Sequence, residues 1–98
     1  MEEVFIPSTC NRIEERAFER CINLINITLT DSLQYIDNFA FKGCSELTTF
    51  NIPKNIVEIG EGVFAGCVNI EFVGDDKYVK YDKRPIQEAQ KKYNSAFN

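Results

Sequence analysis

The sequence predicts an α/β solenoid: a short right-handed coil with a parallel β-sheet along one face, about three repeats long, closed by a C-terminal segment containing a helix. Three observations carry this. Equivalent stretches open at Ile6, Leu29 and Ile52 and run through Cys21, Cys44 and Cys67, a constant offset of 23 residues. The aligned positions are apolar and the positions between them mostly polar. After Val73 the pattern fails and a different one takes over. A fixed period of roughly 20–30 residues marks stacked coils, because one repeat cannot bury its own apolar face and each must cover its neighbour.

Superposing the copies gives ladders: Met1, Leu24, Leu47 and Ile70; Val4, Ile27, Phe50 and Val73; Ile6, Leu29 and Ile52. Cys10, Leu33 and Ile56 follow, then Ile13, Ile36 and Ile59, then Ala17, Ala40 and Val63 beside Phe18, Phe41 and Phe64. The cysteines Cys21, Cys44 and Cys67 close the unit. Leu24–Leu29 and Leu47–Ile52 read as short strands, rich in β-branched residues and alternating towards their ends. Pro7 and Pro53 follow the strands, where a residue without an N–H marks the exit from a ladder. Gln34-Tyr35-Ile36 and Val57-Glu58-Ile59 suit a second short strand on the opposite side. Ala40-Phe41 and Val63-Phe64 suit a single helical or 3₁₀ turn, and Gly43 and Gly66 let the chain turn back. Parallel strands stack at about 4.8 Å per rung.

The repeats divide the chain into a solenoid at 1–73 (repeats 1–23, 24–46 and 47–69, with a partial fourth strand at 70–73) and a cap at 74–98. In the cap, Gly74-Asp75-Asp76 is a turn signal and Lys77–Tyr81 alternates like a short strand. From Pro85, Ile86, Ala89, Gln90, Tyr93 and Phe97 fall at helical spacing, with Asp82 placed to cap the helix. Something amphipathic must cover the last coil of a solenoid.

This pattern resembles the BspA-like leucine-rich repeats, whose unit reads roughly L-x-x-I-x-I-P-x-x-V-x-x-I-x-x-x-A-F-x-x-C. Residues 47–67 match through Leu47, Phe50, Ile52, Pro53, Ile56, Ile59, Val63, Phe64 and Cys67. Residues 1–21 match through Met1, Val4, Ile6, Pro7, Ile13, Ala17, Phe18 and Cys21, and residues 24–44 depart at Thr30, where proline is usual. Thr9, Ser32 and Asn55 stand where an asparagine ladder would run, so that subtype fits poorly. The resemblance implies a leucine-rich-repeat interaction module, part of a surface protein that mediates adhesion and protein binding. It also implies a cell-surface or secreted location within a larger protein. The chain opens Met1-Glu2-Glu3-Val4, without the basic and apolar regions of a signal peptide, which leaves a cytoplasmic chain open.

Composition bounds the chemistry. The chain has 98 residues, 44% apolar and 27% charged, with a net charge of −4. That is an ordinary globular composition, and the charge argues against general nucleic-acid affinity. No apolar run is long enough to span a bilayer. Residues 1–74 hold 11 acidic and 5 basic side chains, a balance of −6, and residues 75–98 hold 4 and 6, a balance of +2. The chain lacks histidine, which removes the usual Ser-His or Cys-His activation. The carboxylate pairs Glu2-Glu3, Glu14-Glu15 and Asp75-Asp76 lie in loops or at edges where neighbours point apart, and Gly60-Glu61-Gly62 lacks the third glycine of a phosphate loop. No enzyme activity, cofactor or metal is expected.

A column of three cysteines cannot pair off completely, and the sequence has no C-x-x-C pair. All four thiols are expected to be reduced and slow to react, with Cys10 a small buried hydrophobe.

A partner would lie on the sheet face that points away from the core. The alignment places Glu3, Asn26, Thr49 and Phe72 in one outward row and Phe5, Thr28, Asn51 and Gly74 in the next. Glu3, Phe5, Asn26, Thr28, Thr49 and Asn51 are therefore the candidate partner-binding residues. Tyr35 and Phe39 join them, as aromatics standing where neighbouring copies carry Arg12 and Glu58 or Arg16 and Gly62. The second candidate surface is the N-terminal edge. Val4 and Ile6 would have neighbours on one side only, and residues 3–6 would present unpaired backbone, which templates pairing with another strand. The expected function is protein binding or adhesion through the sheet face or this edge, with a protein or a second copy as partner and neither nucleic acid nor membrane insertion. The alternative is a structural subunit or fragment of a larger assembly with no separate ligand.

Overall fold

The computed structural model describes residues 2–74. The expected cap falls almost wholly at 75–98, so its helix and short strand lie outside the described residues, as does Met1.

Strands β1 (Glu2–Phe5), β3 (Leu24–Thr28), β5 (Thr49–Asn51) and β7 (Glu71–Val73) form a parallel sheet in the order β1-β3-β5-β7. Strands β2 (Arg12–Ile13), β4 (Tyr35–Ile36) and β6 (Glu58–Ile59) form a second parallel sheet in the order β2-β4-β6. Each coil thus supplies one strand to each sheet, as a solenoid with a 23-residue turn requires. Between the sheets lies one apolar core made of the predicted ladders. It includes Leu24, Leu47 and Ile70; Ile27 and Phe50; Leu33 and Ile56; Ile13, Ile36 and Ile59; Ala40 and Val63; and Phe41 and Phe64, all buried. Phe18, Phe41 and Phe64 stack nearly parallel, with centroids 5.4 and 6.0 Å apart. Phe50 meets Phe41 and Phe64 edge-on at 5.8 and 4.9 Å, the arrangement aromatic quadrupoles favour.

The strand exits share one turn. Cys10, Leu33 and Ile56 N–H groups donate to the carbonyls of Pro7, Thr30 and Pro53, three residues back in each case. Thr30 keeps this turn without the proline of its neighbours. Pro is compatible with the turn but not needed to form it.

The turns around Phe18, Phe41 and Phe64 are successive hydrogen-bonded turns, and no helix occurs among the described residues. The expected helical or 3₁₀ turn is interrupted because two positions per coil take the left-handed conformation. One is Arg16, Phe39 and Gly62 (φ 60°, 59° and 63°), and the other is Arg20, Gly43 and Gly66 (φ 59°, 78° and 79°). Glycine adopts this region freely, while a bulky residue does so at a cost of about 1–2 kcal/mol. Arg16 and Phe39 hid the first of these positions from the sequence.

Two expectations about the core need correction. The first concerns the last strand. Val73 does not continue the Val4–Ile27–Phe50 ladder. β7 pairs one residue short of the repeat, with Thr49 opposite Glu71, Phe50 opposite Phe72 and Asn51 opposite Val73. Phe72 therefore turns inward, meeting Phe50 and Phe64 edge-on at 6.0 and 4.9 Å, and Val73 is left 47% exposed. A one-residue slip exchanges the two faces of a strand, and burying Phe removes more apolar area from water than burying Val.

The second correction concerns the thiols. All four are free, but only Cys44 and Cys67 are buried; Cys10 and Cys21 are part-exposed, in a coil whose strands β1 and β2 are edge strands among the described residues. The buried pair also has hydrogen-bond partners. The Cys44 and Cys67 thiols donate to the Phe18 and Phe41 carbonyls one coil back, at 3.0 and 3.1 Å. The neighbouring Cys44 thiol, together with burial, raises the Cys67 pKa, and burial raises that of Cys21. Thiol titration of the native chain is expected to proceed in stages: Cys10 first, Cys21 more slowly, and Cys44 and Cys67 only on unfolding. Four groups reacting at one rate would contradict the packing of the cysteine column.

Candidate functional site

The outward face of the four-stranded sheet follows from strand alternation. In β1, Val4 points inward while Glu3 and Phe5 point out, and Phe5 is 66% exposed. In β3, Asn26 and Thr28 flank the buried Ile27, and in β5, Thr49 and Asn51 flank the buried Phe50. The register sets Glu3 beside Asn26, Asn26 beside Thr49, and Thr49 beside Glu71. Two residues further along the strands, Phe5 lies beside Thr28 and Asn51 beside Val73. Six of the eight candidate residues therefore share one face: Glu3, Phe5, Asn26, Thr28, Thr49 and Asn51.

The fourth strand changes the face from the one expected. Glu71 and Val73 complete the two rows, where the constant period placed Phe72 and Gly74. Each outer strand now carries a carboxylate and an exposed apolar residue, and each inner strand an amide and a hydroxyl. The period concealed this. The one available signal was that Phe72 is the larger apolar neighbour of Val73 and so the stronger claimant for the core.

Charge is segregated. Strands β1, β3, β5 and β7 contain Glu2, Glu3 and Glu71 and no lysine or arginine. Four of the five cations at 2–74 lie on the other side of the coil, Arg12 in β2 and Arg16, Arg20 and Lys42 in the turns; Lys54 follows β5.

Tyr35 and Phe39 do not join this face. Tyr35 lies in β4, under the Arg12 guanidinium at 4.5 Å, and Arg12 also pairs with Asp37 at 2.6 Å. The Arg16 guanidinium lies 4.6 Å and the Lys42 ammonium 5.4 Å from the Phe39 ring centroid, and Arg16 pairs with Glu19. Each such cation–π contact is worth about 0.5–1 kcal/mol at an exposed site; the two arginine contacts tie the first coil to the second, and the Lys42 contact lies within the second.

The N-terminal edge is part-covered. Val4, Phe18 and Cys21 pack against the core but remain half-buried, whereas their counterparts Ile27, Phe41 and Cys44 are fully buried. The backbone expected to be unpaired at residues 3–6 is bonded on its inner side, where Ile6 N–H donates to the Thr28 carbonyl at 2.9 Å. On its outer side β1 has no partner strand among the described residues. Among those residues, no group of three or more Cys, Asp or Glu side chains is placed to hold a metal ion, and no helix is long and apolar enough to cross a membrane.

The comparisons with known proteins agree with this architecture. The chain is similar to a leucine-rich repeat protein from Bacteroides ovatus, whose crystal structure it matches with a TM-score of 0.74 at 25% identity, over 83% of this chain. It spans 21% of that protein's length, about a fifth. No curated protein matches. The family model described as "BspA type Leucine rich repeat region (6 copies)" matches residues 1–80. With that match over most of its length and the 23-residue coils beneath it, the chain belongs to the BspA-type leucine-rich-repeat family.

Proposed function

We propose that the chain is a protein-binding module whose contact surface is the outer face of the β1-β3-β5-β7 sheet. The observation that carries this is the composition of that face. It sets an exposed phenylalanine and valine at its two edges around a centre of small polar groups, all on strands held rigid by the core. Exposed apolar residues around a polar centre suit a specific contact better than a purely solvated sheet does. Rigid strands spare the ordering cost that a flexible loop would incur on binding. Binding rather than catalysis also fits a chain without histidine. Adhesion at a cell surface, within a longer protein, is the setting that the family resemblance suggests.

A displayed peptide library selected on the immobilised chain tests the face. Ligands are expected whose retention is lost on Thr28→Arg/Thr49→Arg, two outward substitutions that leave the core and the melting temperature unchanged. Selected ligands that all tolerate this pair would place binding elsewhere.

A second reading rests on Val4, Phe18 and Cys21, half-buried where their counterparts in the next coil are buried. Covering them with a second copy would bury apolar surface and pair the outer edge of β1. Sedimentation at rising protein concentration should then show a dimer that is weakened by Phe5→Lys. A chain that sediments as a monomer throughout would remove self-association.

A further inference from the structure

The outer sheet face has a charge pattern with a definite length, and this deepens the reading of that face as the binding surface, on which it rests. Glu3 and Glu71 stand at opposite ends of one row, on β1 and β7, with Asn26 and Thr49 between them. Three rungs separate them, a distance of about 14 Å at about 4.8 Å per rung. Among the described residues neither belongs to an ion pair; the two ion pairs present are Arg12 with Asp37 and Arg16 with Glu19. Beside each carboxylate, two residues along its strand, stands an exposed apolar residue: Phe5 next to Glu3 and Val73 next to Glu71. No lysine or arginine occurs in the four strands.

We infer that this face takes an extended cationic peptide segment lying across the strands, with two Lys or Arg side chains four residues apart set on Glu3 and Glu71. The spacing follows from geometry. An extended chain advances about 3.3–3.4 Å per residue, so residues i and i+4 are about 13–14 Å apart and point to the same side. The long aliphatic stems of these side chains lie against Phe5 and Val73 while their charged ends reach the carboxylates. The residue midway between them points at Asn26 and Thr49, whose amide and hydroxyl suit a small polar side chain or backbone groups. A cation near Phe5 gains further from the ring face. An anionic segment would meet two uncompensated carboxylates, which makes the face selective as well as attractive.

The test is fluorescence anisotropy of the full chain with a fluorescein-labelled peptide carrying the run Lys-Ser-Thr-Ser-Lys. Comparison peptides have the two lysines adjacent or both replaced by glutamate. The spaced-lysine peptide should bind more tightly than either. Glu3→Gln/Glu71→Gln should weaken it about tenfold, and raising salt from about 50 to about 500 mM should weaken it similarly, as for screened surface pairs. Arg20→Gln, on the opposite side of the coil, should leave the affinity unchanged. Equal affinity for the adjacent-lysine or acidic peptide, or no change in the Glu3→Gln/Glu71→Gln chain, overturns the inference. Binding seen only after Lys77→Glu/Lys80→Glu also overturns it, assigning the face to the chain's own basic residues. Library ligands that are uncharged yet lost on Thr28→Arg/Thr49→Arg would refute the cationic partner while leaving the face as the binding surface.

Discussion

Phe41→Ala is expected to cost about 3–5 kcal/mol, the usual loss when a large buried aromatic becomes a cavity. Phe41 belongs to the middle coil and has no exposed surface. Its ring is stacked between Phe18 and Phe64 and meets Phe50 edge-on, so the substitution removes three aromatic contacts as well as the buried area. The cavity cannot collapse easily, because the coils above and below are held apart by backbone hydrogen bonds. The Phe41 N–H donates to the Val63 carbonyl and the Phe18 N–H to the Ala40 carbonyl, at 3.0 and 2.8 Å. A domain of this size holds about 5–15 kcal/mol in total, so the variant should be largely destabilised at 25 °C. Thermal and denaturant unfolding followed by circular dichroism would measure this. A midpoint unchanged from the parent would mean that the aromatic column is not the centre of the core.

Gly60→Ala should cost about 3 kcal/mol, near the upper end for forcing an extra methyl into a packed interior. The reason is the identity of the obstacle, not the backbone angle of Gly60. A Cβ at Gly60 would stand 2.7 Å from the Asn38 nitrogen and 2.9 Å from the Asp37 carbonyl carbon, besides meeting the Asn38 side-chain oxygen. Backbone cannot step aside there, since Gly60 N–H donates to the Ile36 carbonyl at 2.8 Å and fixes the approach of the two coils. Gly62 offers the contrast. A Cβ there would lie 2.5 Å from the Phe39 ring, a side chain, and φ is +63°. Gly62→Ala should therefore be eased by Phe39→Gly, leaving mainly the left-handed penalty of about 1–2 kcal/mol. Gly60→Ala should gain nothing from Asn38→Ala. Urea midpoints for the two single variants and the two pairs would show this, and rescue of Gly60→Ala by Asn38→Ala would mean the coils approach less closely than described.

The contrast shows where sequence reading stops. Gly43 and Gly66 stand out as turn residues, and both take the left-handed conformation. Gly60 and Gly62 look like one flexible pair, yet one is required by its neighbour's backbone and the other by a ring 23 residues earlier. Arg16 and Phe39 occupy a left-handed position with residues that give no sign of it. Cys10 illustrates a different gap. Aligned with Leu33 and Ile56 it reads as core, yet Cys10 is part-exposed while Leu33 and Ile56 are buried, so the alignment does not set burial at this edge coil position by position.

For the candidate face, Glu3, Phe5, Asn26, Thr28, Thr49 and Asn51 were legible because alternation along a strand and a constant period between strands suffice to sort inward from outward. Tyr35 and Phe39, the other two candidates, lie away from that face, Tyr35 in the second strand on the opposite side as the repeat suggests. Their departure from the repeat was visible, but the arginines that explain them come from the preceding coil.

The repeat alone determined the parallel solenoid, most of the ladders and the strand that opens each coil, because apolar periodicity states which residues must share a core. Tertiary structure alone decided the register of β7. Phe72 and Val73 are adjacent and both apolar, so pattern cannot choose between them. Packing against Phe50 and Phe64 can, since the larger ring removes more surface from water and finds two edge-on partners. That choice turned Glu71 and Val73 outward and gave the sheet face its acidic and apolar ends.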